Sequence, residues 1–539
     1  MVKNEQLKGK SVTYKKLNYA NFFNGINVDY DQFILPVTYS TNTYNFSFNK
    51  GALTTGLGVD YVYFPASPLP GNKEFRKVQI GNTYNVKATW LFRKENKNVT
   101  SYAPYIYENY LIFQTDEGNF YLLDIASNID FVLQIGNLNL TEVPVVLNYN
   151  LNGEDSILIC SPSGMWYWNT TLVNAVKVEN APKIKNMCLH YERIFATIEN
   201  DRNEIWFSDD LNPTNWNVSL TEAGFIKFSD ERGIVNKVVS FNDYVYVFRE
   251  YGISRLTAYA SQEEFSITQL FVSSGKIYGN SVCVCGDRIL MLTQNGIYVF
   301  DGYSTTKLNL SIDNLIKNAQ NQSVCSAYCN GKYYLACNLN FNDNIQIGCE
   351  NNTNFVNNAL LELDLETNTL NIMRGVDIRH LNAVTDDKIS KVIACYFENN
   401  SFNFGEIGNF GGVYGTSLNK CWKSPLSDCG YPEKQKVVKN IFLKSNVSVK
   451  ITIRTENAKK TYNAKPKNNL IKINTLIKGN LFAIDFETSS AECEISSPSV
   501  IVGLVWQILE NLLITRLRIL KEKTLTRNKI FQTIVFHKI

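Results

Sequence analysis

Three histidines (His190, His380 and His537) and 12 cysteines are the residues of this 539-residue chain best suited to nucleophilic or metal chemistry. Nucleophilic catalysis needs a base within reach of the nucleophile and a third group that orients the base. His190 and His380 sit beside repeated hairpin patterns and His537 in a terminal stretch of different texture, so no Ser/His/Asp or Cys/His set assembles. No GxSxG elbow and no GxxxxGK[ST] phosphate loop occurs. Gly56–Gly58 is a lone GxG with no third glycine and reads as a turn. The pairs Cys283/Cys285, Cys325/Cys329 and Cys421/Cys429 are spaced CxC, Cx3C and Cx7C, none of which makes the paired CxxC knuckles of structural zinc. In a CxC strand both thiols share a face, so Cys283 and Cys285 read as core. The expectation is a chain with no catalytic, metal or cofactor-binding residues and no cofactor.

One further motif invites a chemical reading. Ser208–Trp216 (SDDLNPTNW) is similar to the Ser-x-Asp-x-Gly-x-x-Trp turn that rims sialidase-type propeller blades, but asparagine replaces the glycine and the tryptophan comes one residue late. It occurs once. Glycan cleavage would also need paired carboxylates or a tyrosine nucleophile in an arginine-lined pocket. Arg193, Arg202, Arg249, Arg255 and Arg288 fall in hairpins with no shared strand position, so surface roles are expected for them.

The elements that must position these side chains announce themselves by repetition. Glu108–Ile125, Glu154–Thr171, Asn242–Tyr259 and Gly286–Tyr303 each run 18 residues with glycine at the eleventh place, and Tyr191–Asp210 is a fifth copy with a turn longer by two. Each reads as an alternating apolar strand, a polar turn and an aromatic-rich strand. Gly118, Gly164, Gly252 and Gly296 stand where such a turn calls for a residue free to take positive φ. The copies begin 46, 37, 51 and 44 residues apart, with a sixth candidate at Asn330 after another 44. A period of about 40–50 residues is that of a four-stranded propeller blade. A lone hairpin cannot bury its apolar face, and radial closure removes the exposed edges. The expected fold is therefore all-β, a β-propeller over residues 86–415 with six blades, five or seven being the alternatives and Lys388–Ile407 the candidate for an extra one.

Composition agrees: 30 Tyr and 31 Phe against 5 Met favour pleated sheet over helix bundles. The formal charge of +3, from 53 basic and 50 acidic residues, argues against a dedicated nucleic-acid clamp. Cys160, Cys283, Cys285, Cys337 and Cys395 lie in apolar strand patterns, which suits free thiols and a reducing compartment. No secretory leader and no membrane span are expected.

Flanking the repeat, residues 1–85 read as an extended arm that packs on the propeller and completes its first or last blade. Residues 416–501 read as a separate small β-sandwich. From Val502 the texture changes: GLVWQILENLLITRLRILKEK has helical apolar spacing and a basic run follows. The tail 502–539 has two readings of equal weight, an amphipathic helix for a partner or membrane surface, and a non-native appendage without a role.

Several segments together resemble a virion family, the propeller proteins at the head-to-tail junction or tail hub of short-tailed bacteriophages, known as packaged-DNA stabilisation proteins. The segments are FFNGIN (Phe22–Asn27) with ALTTGLGV, then Arg193–Trp216, Val245–Leu256, Ser274–Gly302 and Cys421–Leu443, within residues 20–500. The basic end after Val502 departs from that pattern. The resemblance implies a non-enzymatic structural protein of a phage or prophage tail, made in the host bacterial cytoplasm. Several copies would form a ring that meets other virion proteins, a portal or adaptor on one side and a tail needle or tube on the other. DNA would be met only by passage through the lumen. Phe22, Phe23, Trp166, Trp168, Trp206 and Trp216 are the candidate interface aromatics, with blade core as the competing fate. The alternative reading is a tail-associated carbohydrate-binding or glycan-cleaving propeller.

Overall fold

A computed structural model describes residues 4–7, 10–19, 21–65, 75–95, 107–125, 129–199, 203–259, 261–317, 319–341, 355–385 and 389–506. Six consecutive four-stranded antiparallel meanders fill the centre of the chain, and their first strands are Val86–Glu95, Val145–Leu151, Ile184–His190, Val235–Phe241, Cys283–Val284 and Cys325–Cys329. The repeated hairpins are the second and third strands of these meanders; Glu154–Ser161 and Gly164–Asn169, for example, pair in register from Ser156↔Asn169 to Ser161↔Gly164.

A seventh blade takes the count beyond the expected six. Asp377–Thr385, Ser390–Glu398 and Ser401–Gly408 form its first three strands, and the fourth is Gly58–Asp60, recruited from far upstream and paired Glu406↔Asp60 to Gly408↔Gly58. This is how the ring is latched: one blade is built from both ends of the propeller sequence. Seven apolar clusters each join two neighbouring blades. Among them, Phe113 and Leu111 of blade 1 pack with Ile393, Cys395 and Phe404 of blade 7, which closes the circle. The fold is an all-β, seven-bladed propeller.

The turn glycines behave in two ways. Gly118, Gly164 and Gly296 have φ of +82°, +156° and +137°, and a Cβ on Gly296 would sit 2.6 Å from Lys307 Cε. Gly252, against expectation, is not left-handed; it is glycine because a Cβ would meet Phe271 O at 2.8 Å, where the third strand of blade 4 is crowded by the fourth.

The N-terminal arm does more than pack on the propeller. Lys10–Asn18, Phe46–Asn49 and Ala52–Thr55 join a sheet with Lys434–Ser445, Leu470–Gly479 and Glu494–Trp506, while Asn42–Tyr44 heads a second sheet with Lys420–Lys423, Phe482–Thr488, Val449–Thr455 and Lys459–Ala464. The two sheets enclose a core that includes Phe22, Phe46, Trp422, Ile441, Ile453, Phe486 and Val500. The sandwich is thus built from both ends of the described chain rather than from residues 416–501 alone. Gly503–Trp506, expected to open a helix, is instead the end of a strand whose Val502 and Leu504 point into that core. Strand partners on both sides, Lys434–Ser445 and Lys10–Asn18, override the helical spacing. The rest of the predicted helical tail lies outside the described residues.

Candidate functional site

In a four-stranded meander, the turns between the second and third strands and the crossings to the next blade share one face of the disc, and the other turns share the opposite face. On the first face a cavity of about 320 Å³ lies among the starts of the first strands of blades 3 and 4 and the segments entering blades 5 and 6, lined by Lys185, Asn186, Asn236, Lys276, Tyr278 and Gln322 among others. Its polar groups are largely engaged in holding blades together. Asn186 Oδ1 accepts from Val238 N at 3.3 Å across blades 3 and 4, and Asn236 Nδ2 donates to Ile277 O at 3.0 Å. Lys276 Nζ lies 2.7 Å from Glu250, a hydrogen bond that raises its pKa.

The histidines are similarly committed. His190 Nδ1 is 2.9 Å from Ser240 Oγ on the adjacent blade, and burial lowers its pKa. His380 packs against Trp90, ring centroids 5.4 Å apart and planes tilted by 60°, between blades 7 and 1, and burial drives its pKa down to about 4. Burial thus favours the neutral form of both rings, with Asp243 opposing it at His190. Among the described residues no group of three or more His, Cys, Asp or Glu could hold a metal ion. The described cysteines are free thiols, and burial pushes Cys188, Cys325 and Cys421 up to about 12, away from thiolate chemistry.

The Ser208–Trp216 segment folds on itself. Ser208 Oγ accepts from Ile194 N at 3.0 Å, Asp209 carboxylate accepts from Glu222 N and Asn215 Nδ2, and Trp216 is buried against blades 2 and 3. Arg193 donates to Glu222 O and to its carboxylate, both at 2.8 Å. Arg249 is fully buried, donating to Gly233 O and paired with Asp230. These arginines pin loops to strands. Arg202 lies outside the described residues, and Arg288 pairs with its neighbour Asp287.

The interface aromatics divide sharply. Phe22 is sealed in the sandwich core, edge-on to Trp422 at 4.9 Å, and Trp166, Trp168 and Trp216 are buried between blades. Trp206 is half-buried, stacked on Phe225 at 5.3 Å with its indole N–H on Glu204. Of the six, only Phe23 faces solvent, at 63% exposure. Sequence reasoning missed its true companions: Tyr30, Phe33 and Ile34 are 58%, 58% and 71% exposed in the same loop. The loop is held rigid from below. Phe22 is buried in the sandwich, Ile26 in the cluster between blades 5 and 6, and Asp29 accepts from the backbone N–H groups of Asp313 and Asn314. An aromatic doublet with one ring plugged and one displayed was a readable signal; the later three residues carried none.

Two further features face outward. On the second face of the disc Tyr191, Tyr259 and Tyr303 are exposed around Arg255, whose guanidinium lies 4.5 Å from the Tyr244 ring and 5.7 Å from that of Tyr303. Tyr191 donates to Asp243 at 3.3 Å. At the sandwich, a cavity of about 440 Å³ is lined by Tyr44, Lys420, Lys450 and Glu487 among others. Lys420 Nζ there donates to the carbonyls of Gly411, Leu418 and Ser490, which ties the propeller exit to the sandwich.

No family model matches the sequence, and no curated protein matches it. Similar solved structures include the computationally designed Ika8 protein (9% identity, 60% of this chain and 96% of that one, TM-score 0.32). They also include the AfRom2 CNH domain (9%, 55% and 90%, 0.35) and the Neurospora crassa Pan2 WD40 domain (10%, 60% and 90%, 0.35). The blade assignment stands on the strand pairing itself.

Proposed function

We propose that this chain is a non-enzymatic structural protein of a phage or prophage virion, a subunit of an oligomeric ring at the head-to-tail junction or tail hub. The observation that carries the reading is the threading of the chain: sandwich, then the latch strand of blade 7, then the full propeller, then back into the sandwich. Three of the segments that resemble the virion family, FFNGIN, ALTTGLGV and Cys421–Leu443, fall at these joints, and the others lie within blades 3 to 5. FFNGIN carries the core plug Phe22, and ALTTGLGV runs from a sandwich strand into the latch. Gly56 and Gly58 mark places where backbones touch: a Cβ on Gly56 would collide with Asn45 O, and one on Gly58 would lie 2.7 Å from Gly412 N. A scaffold whose two units share strands resists being pulled apart, which suits a mechanical part.

The rigid loop bearing Phe23, Tyr30, Phe33 and Ile34 then serves as the subunit contact, since aromatic anchors fixed before binding lose little entropy on association. Ring contacts would be heterologous and closing. Light scattering across a concentration series tests this. The wild-type chain is expected to form a closed oligomer of fixed size. The variant Phe23→Ser/Phe33→Ser/Ile34→Ser is expected to remain monomeric with its unfolding midpoint unchanged, because these side chains contribute nothing to the core. A wild-type monomer at all concentrations, or an oligomer indifferent to the three substitutions, counts against the reading.

The tyrosines around Arg255 favour a second reading, a carbohydrate platform on a tail tip. A glycan array with hydrolysis readout separates the two: binding or cleavage lost in Tyr259→Ala/Tyr303→Ala would support it, and silence across the array removes it.

A further inference from the structure

The near-neutral total charge conceals a strong segregation. Residues 420–506 hold fourteen Lys or Arg against seven Asp or Glu, a surplus of seven in a chain whose total is +3. The lysines are not scattered over the sandwich. In Leu470–Gly479 exposed and buried residues alternate without a break, so Leu470, Lys472, Asn474, Leu476 and Lys478 all point away from the core. Register carries that outward face across the sheet. Lys472 lies beside Phe442, which lies beside Ser499 and then Asn18; Asn474 lies beside Asn440, Ile501 and Lys16; Lys478 lies beside Val437, Gly503 and Tyr14. Lys444 stands beside Leu470, and Lys439, at the bulge, reaches over the Tyr14 ring at 4.4 Å.

One flat face of four strands thus carries Lys16, Lys439, Lys444, Lys472 and Lys478, against a single outward carboxylate on the described parts of those strands, Glu494 at the start of Glu494–Trp506. Lys472 and Lys478 are about 20 Å apart along the strand and the four strands span about 14 Å, from ordinary strand rise and spacing. Duplex DNA presents about one phosphate charge per 1.7 Å, so a stretch of that length offers each ammonium a phosphate partner. Lysine supplies point charges without the planar fork that reads guanine, and the two amides at the middle of this face, Asn440 and Asn474, hydrogen-bond to each other at 2.6 Å. Such a surface would grip backbone and ignore sequence.

We infer that the outward face of the larger sandwich sheet binds the phosphate backbone of duplex DNA without reading its bases. The inference rests on these residues and not on the virion reading; it holds or fails whether or not the chain forms a ring. An anionic membrane is the competing polyanion. It is disfavoured because the two exposed leucines, Leu470 and Leu476, are separated by Lys472 on a flat sheet, with no protruding apolar edge to insert.

The test uses the full chain and fluorescein-labelled 30-base-pair duplexes of two unrelated sequences, with anisotropy followed from 50 to 200 mM NaCl. The expected result is binding to both duplexes within about twofold, with the logarithmic salt slope reduced by about 0.9 for each lysine removed. Lys16→Gln/Lys444→Gln/Lys472→Gln/Lys478→Gln should therefore flatten the slope by about 3 to 4 and weaken binding more than tenfold at 100 mM salt. A companion variant, Lys459→Gln/Lys460→Gln/Lys465→Gln/Lys467→Gln, removes the same charge at and beyond the edge strand of the other sheet and should change neither affinity nor slope. Circular dichroism checks folding; if the quadruple variant fails it, the doubles Lys16→Gln/Lys478→Gln and Lys444→Gln/Lys472→Gln should each flatten the slope by about half as much. The inference is overturned if wild type ignores DNA at 50 mM salt, if the companion variant loses as much, or if one sequence binds more than tenfold better. It is equally overturned if the chain sediments with vesicles of 30% phosphatidylserine while leaving DNA free.

Discussion

The latch strand can be tested at a single atom. In Gly58→Ala the new Cβ would fall 2.7 Å from Gly412 N and nearer still to the Gly412 carbonyl, both backbone atoms that cannot swing aside. Relief requires Gly58–Asp60 to withdraw by about 1 Å, a shift that a close-packed interior does not absorb. Val59, fully buried and paired with Ile407 on one side and Val413 on the other, would lose its place. Its burial contributes about 2 kcal/mol, and the backbone hydrogen bonds of the strand about 1 kcal/mol each, so the expected loss is about 4 kcal/mol. The control is Gly331→Ala in the blade 6 turn, where φ is +75° and a Cβ meets nothing within 4 Å. There only backbone strain acts, about 1 kcal/mol. Urea unfolding of both variants, with trypsin digestion to map the first segment released, is the assay. Gly58→Ala should shift the first transition several times further and release residues 58–65 early. Equal shifts for the two variants would refute the claim that this strand closes the ring.

Asn45, buried with φ of +61°, joins the sandwich to blade 6. Its amide donates to the carbonyls of Arg374 and Asn419 and accepts from Arg374 N at 2.7 Å, so Asn45→Ala should cost about 2–4 kcal/mol and split calorimetric unfolding into two resolved transitions. Burial depresses His380 from 6.5 to about 4 in the folded chain, so between those pH values the unfolded chain takes up a proton that the folded one refuses. The associated stability is therefore complete above about pH 6.5 and lost as pH falls toward 4, by up to about 3 kcal/mol; in His380→Gln, unfolding midpoints measured from pH 7 to 4 should lack that decline.

How far the sequence could be read depended on where each element finds its partner. The hairpins were legible because their strands pair locally, and alternation with a turn signal every 40–50 residues suffices for that. The seventh blade was faint for two physical reasons. Its turn uses Asn399 and Asn400, at φ of +52° and +60°, in place of glycine, and its last strand arrives from residue 58. Gly252 was recognised as obligatory for the wrong cause, since crowding by Phe271 leaves no trace in the residue type itself. Gly503–Trp506 misled because a short apolar run fits helix and strand alike until its neighbours are known. The lysine face was invisible to composition: its charges come from three strands far apart in the chain and cancel in the total.

The most direct measurement is electron microscopy of the purified full chain at tens of micromolar. Closed rings are expected, in which seven-lobed discs lie side by side, each with an attached sandwich and with the Phe23–Ile34 loop at the seam. Isolated discs at every concentration, or rings whose seams lie far from that loop, would contradict that expectation.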